Sequence, residues 1–102
     1  LCREGALMAE ITVSRAEAPD GWVLTVQVAE GSTITEHRVG LLREYHVKLT
    51  QGCATPEQLA EASFRFLLER ESKESILRSF DMPIIAHYFP EYEQRIGSYL
   101  PE

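Results

Sequence analysis

The chain has 102 residues, 44% of them hydrophobic and 25% charged, a length and composition that allow one buried core and exclude collagen-like, wholly disordered and membrane-embedded classes. Ten Lys and Arg against sixteen Asp and Glu give a net charge of −6, with five cations against seven anions up to Ala54 and five against nine after it. Neither half supplies the positive surface that neutralises phosphates, so DNA, RNA and anionic membranes are not the expected partners.

The opening residues Leu1 to Leu7 lack the apolar stretch of a signal peptide, and Met8-Ala9 stands just before the first strand-like pattern. Residues 1–8 are therefore expected to be a disordered, frayed or vector-derived extension, with 9–102 as a single α+β domain. Ile11 and Val13 alternate with Thr12 and Ser14 as in a strand, and Pro19-Asp20-Gly21 marks a turn. Trp22, Leu24, Val26 and Val28 then fall on one face of a second strand. Thr33 to Val39 reads as a third strand, placed at an edge because Ile34 shares a face with Glu36 and Arg38 while Val39 shares the other with Thr35 and His37. Short connections make these three an antiparallel meander over about residues 10–39.

From Leu41 the period becomes helical through Leu42, Tyr45 and Leu49, with Gly52 as the cap. Thr55-Pro56-Glu57-Gln58 has the form of a capping box and should start a helix that runs to about Glu69 or Arg70. Its apolar side (Leu59, Ala62, Ser63, Phe66, Leu67) is widened by Ala60, Phe64 and Leu68, leaving a narrow ridge of Glu57, Glu61, Arg65 and Glu69. A stripe this wide requires burial on two sides, against the sheet and against later helices. Ser72 is placed to cap a further helix bearing Ile76, Leu77 and Phe80, and Ile84, Ile85, Tyr88 and Phe89 form the next, stopped by Pro90. Tyr92, Ile96 and Tyr99 suggest a last helical turn or two. The fold class is thus α+β, a three-stranded meander followed by three to four helices on one of its faces.

Few of these residues carry chemistry. Cys2 and Cys53 have no ligand or scaffold spacing, which points to a reducing cytoplasm. A Cys53–His46 nucleophile pair is outweighed by the reading of Cys53 as a small filler in a connector. His37, His46 and His87 lack metal-ligand spacing, so no metal or other cofactor is expected. Carboxylates lie mostly on the helical ridge or in turns.

Phe80, Tyr88, Phe89, Tyr92 and Tyr99 are five of nine aromatic residues. They serve either as core for short helices or as an aromatic groove, with Tyr88, Phe89, Tyr92 and Tyr99 as contacts and Glu91 and Glu93 as an acidic rim for a protein or peptide partner.

The segment Ser63 to Ile96, with FLLERE at Phe66–Glu71, ESIL and FD at 74–77 and 80–81, and YFPEYE at Tyr88–Glu93, resembles a group of small bacterial proteins without assigned function. The resemblance covers about a third of the chain; it implies a bacterial cytoplasmic protein and transfers no activity and no functional residue. The expectation is a non-enzymatic interaction or regulatory module. Two alternatives remain: a small enzyme with a site assembled from scattered residues, and an antitoxin-like or transcriptional regulator using Arg38, Arg43 and Lys48.

Overall fold

The computed structural model describes residues 9–100, so the expected extension at 1–8 lies outside the described residues. Strand β1 (Glu10–Ala18) runs up to the Pro19–Asp20 turn and pairs antiparallel with β2 (Gly21–Glu30), from Glu10 opposite Ala29 to Ala18 opposite Gly21. A second two-residue turn at Gly31-Ser32, with Gly31 at φ 63° where a side chain would be strained, leads into β3 (Thr33–Leu42). Pairing puts Ile11 and Val13 of β1 beside Val28 and Val26, and these beside Thr35 and His37 of β3, on one face. The opposite face presents Thr12, Gln27, Glu36 and Arg38, all exposed.

Two expectations change at β3. The strand continues to Leu42 because Leu41 pairs with Trp22 and is buried beneath the core face. The following helix α1 therefore begins at Arg43 and ends at Thr50, with Gln51 already left-handed at φ 55° ahead of Gly52. Nor is β3 an edge along its whole length. Ser79–Asp81 forms a short strand β4 that pairs parallel with Arg38 to Gly40, so the sheet is mixed, in the order β1-β2-β3-β4. The helix expected after Ser72 is replaced by a single 3-10 turn at Lys73–Ser75, with no side-chain cap. Phe80, spaced for a helix with Ile76, instead sits in β4 opposite Val39.

Helix α2 (Pro56–Leu68) has the expected capping box: the Gln58 amide donates to Thr55 Oγ1 at 3.0 Å and the Thr55 amide donates to Gln58 Oε1 at 2.9 Å. Its apolar width is used on two sides. Phe64 faces the sheet, with His37 at 5.1 Å and Phe80 at 6.2 Å between ring centroids, while Phe66 faces the rings of Phe89, Tyr92 and Tyr99 at 5.2 to 6.0 Å. The chain closes with α3 (Ile84–Tyr88), α4 (Tyr92–Arg95) and a 3-10 turn at Ile96–Tyr99. Buried Met82, Ile85, Tyr92 and Ile96 complete one core with α2 and the sheet.

Candidate functional site

Of the six residues expected to form a partner surface, Phe89, Tyr92 and Tyr99 gather around Phe66, whereas Tyr88 is exposed and Glu91 and Glu93 turn to different partners. Tyr92 lies in the core, wholly buried, its hydroxyl 2.6 Å from Ser63 Oγ. Burial pushes this phenol above its usual range, against the opposing effect of the Ser63 hydrogen bond. Tyr99 is half-buried on Phe66, and its hydroxyl donates to Glu69. Arg70 reaches Glu91 through Nε at 3.2 Å, donates to the Phe66 carbonyl at 3.0 Å and lies 3.6 Å from the centroid of the Phe66 ring. Glu93 turns the other way: it accepts from Tyr45 Oη at 2.7 Å and pairs with Lys48 Nζ at 3.2 Å. The Tyr45 hydrogen bond holds the Glu93 carboxyl below its usual range, with burial opposing and Lys48 assisting. The tyrosine itself is pushed up, by burial first and by that hydrogen bond second. Both carboxylates of the expected rim are thus engaged within the domain.

Tyr88 is exposed and Phe89 partly buried against the core, and both line a cleft of about 360 Å³. Its walls come from the end of α2 (Leu67), the connector (Ile76, Leu77), β4 (Phe80) and α3 (Ile84, Ile85). Ile76 and Ile85 are buried as its floor, whereas Leu77 is 47% exposed and Tyr88 62% exposed at its rim. The connector is held against the sheet by His37, whose Nδ1 donates to the Leu77 carbonyl at 2.8 Å. That bond fixes the tautomer, and Nε2 accepts from Thr35 Oγ1 at 2.8 Å. This explains how two polar residues occupy the buried face of β3. Burial is the main cause holding the His37 pKa below its usual value; the Leu77 bond opposes, and the Arg78 charge adds to the depression.

Glu71 and Ser75 are the polar residues lining the cleft. The Glu71 amide bonds the Leu67 carbonyl at 2.9 Å, prolonging the helical turn and carrying Glu71 onto the side of Leu67 rather than onto the solvated ridge. Burial against this wall raises the Glu71 carboxyl above its usual range. Sequence reading passed over Glu71; its i,i+4 spacing from Leu67 was the available signal.

Other candidate residues lie apart. Cys53 is exposed after α1, and His46 donates through Nε2 to the Ala54 carbonyl at 2.7 Å while its ring meets Trp22 edge-on. His87 is exposed on α3, its ring edge-on to Tyr88, whereas His37 is buried. Among the described residues no group of three His, Cys, Asp or Glu side chains is placed to hold a metal. Arg43 pairs with Glu17 and lies over Trp22, Lys48 pairs with Glu93, and Arg38 stands on the open face of the sheet. A recess of about 390 Å³ lined by Pro19, Asp20, Leu42, Arg43 and Glu44 is more charged than the cleft at Tyr88. Among the described residues no helix is long and apolar enough to cross a membrane. Comparison with family models, with curated proteins and with solved structures finds no match to the chain.

Proposed function

We propose that this protein is a small non-enzymatic interaction module that seats an apolar segment of a partner protein in the cleft between α2, β4 and α3. One observation carries the reading: the cleft combines a buried apolar floor at Ile76 and Ile85 with large, exposed side chains at its rim, Leu77 and Tyr88. Its volume, about 360 Å³, lies within the usual span of roughly 300–1,000 Å³ for binding clefts. Exposed apolar side chains gathered around a concavity favour docking, because covering them releases ordered water without requiring the core to open.

Selection from a random displayed peptide library tests the reading. Peptides recovered on the wild-type protein are expected to carry apolar anchors, to compete with one another and to shift the methyl resonances of Leu77, Ile84 and Ile85. They should lose binding to the double variant Leu77→Glu, Tyr88→Glu, whose exposed positions leave the core intact. Peptides that bind wild type and the folded double variant equally would refute a docking role for the cleft.

A further inference from the structure

The cleft contains one carboxylate, and among the described residues no cation pairs with it. Among the described residues no ion pair includes Glu71, although Arg70 is its neighbour in sequence. Arg70 is turned away, held by Glu69, Glu91 and the Phe66 carbonyl. Every other charged side chain that ends the α2 ridge also points elsewhere, Glu69 to Tyr99 and Arg65 to Glu61. Leu67, Ile76, Leu77, Ile84 and Ile85 line the same cleft as Glu71. An occupant that covers this wall removes water from the carboxylate, and a donor carried by the occupant offsets that loss.

From this charge complementarity we infer that the occupant is a partner segment presenting a Lys or Arg beside its apolar anchor, with the cation on Glu71. The inference rests on the proposed docking role of the cleft. It accounts for a carboxylate placed on the apolar side of the α2 end, where a residue serving only solubility belongs on the ridge. Burial raises the Glu71 carboxyl above its usual range, and a cation seated beside it would oppose that rise. The net charge of −6 adds long-range attraction for a basic segment.

Three eight-carbon probes of equal length separate the two layers of the argument: octylammonium, octanol and octanoate, titrated below their aggregation concentrations and followed by the methyl resonances of Leu77, Ile84 and Ile85. All three are expected at the same methyls, with octylammonium binding about fivefold tighter than octanol, the gain of a partly exposed ion pair, and octanoate weaker than both. Glu71→Gln should leave octanol affinity unchanged, which also reports that the cleft is intact, and remove the preference for the cation. Libraries displayed on wild type should be enriched in Lys or Arg near the anchor, and those on Glu71→Gln should not. Equal affinities for the three probes, or the same basic enrichment on both proteins, would overturn the inference and leave the cleft reading standing. Probes that move none of these methyls would remove both.

Discussion

The hydroxyl of Tyr92 meets the hydroxyl of Ser63 at 2.6 Å inside the core, joining α4 to α2 where neither group touches solvent. Ser63 Oγ also donates to the Leu59 carbonyl at 2.8 Å, so the tyrosine is the donor between the two hydroxyls. The arrangement is asymmetric. Tyr92→Phe leaves Ser63 with its Leu59 bond and should cost about 1 kcal/mol, whereas Ser63→Ala strands a buried phenol and should cost roughly 1–3 kcal/mol. Urea unfolding of both single variants and of the double variant checks this, and the double should cost less than the sum of the singles.

Adjacent positions on α2 should respond very differently. Phe66→Ala removes a ring stacked by three aromatic neighbours and Arg70 and should cost about 3–5 kcal/mol. Arg65 makes only an exposed pair with Glu61 at 3.0 Å, so Arg65→Ala should cost under about 1 kcal/mol. Similar losses from denaturant titration at the two sites would contradict the two-sided burial of the helix.

The His37 site gives a sign for pH. Its folded pKa lies below the usual 6.5, so between the two values the unfolded chain binds more protons than the folded one. The stabilisation is full above pH about 6.5 and is lost as pH falls through that value toward the lower folded one. The carboxyls of Glu91 and Glu93 are depressed from 4.5 and withdraw stability only at more acid pH. The raised Glu71 carboxyl acts with the opposite sign, so the test is the difference: any loss of melting temperature between pH 7 and 5 should be smaller for His37→Gln than for wild type. A slope unchanged by that substitution would show that the imidazole is not held neutral.

The start of α2 offers a fourth stability test. Thr55→Ala removes the acceptor for the Gln58 amide and should cost about 1 kcal/mol. Thr55→Ser should retain most of it, because the hydroxyl is kept. Thermal melts of the two variants distinguish loss of the cap from loss of the Thr methyl.

Elements whose local chemistry agrees with their packing could be read from sequence. β2 alternates because only one face is covered, and Thr55-Pro56 with Gln58 starts α2 by hydrogen bonds wholly within four residues. Leu41 misled because its spacing to Tyr45 suits a helix equally well; pairing with Trp22, nineteen positions back, decides for the strand. β4 has one apolar residue in three and owes its conformation to Arg38–Gly40, which no local window contains. The candidate site shows the same division. Aromatic content marked Tyr88 and Phe89, but Tyr88 at the surface and Tyr92 in the core carry the same side chain, and only the contact with Ser63 tells them apart.

β4 also sets a clock. Its attachment consists of three residue pairs, flanked by the Arg38 amide bond to Arg78 at 2.8 Å and the Met82 amide bond to Gly40 at 2.9 Å, across some forty residues of intervening chain. Such a short, non-local strand is the kind of unit that opens at a free energy well below global unfolding. Native-state hydrogen exchange should show the Arg38 and Met82 amides exchanging together and earlier than the amides of Leu24 and Val26 in the β2 centre. Phe80 lies in this strand and Leu77 two residues before it, so on the proposed docking role openings of β4 are expected to widen the cleft and to govern how fast a bulky occupant enters and leaves.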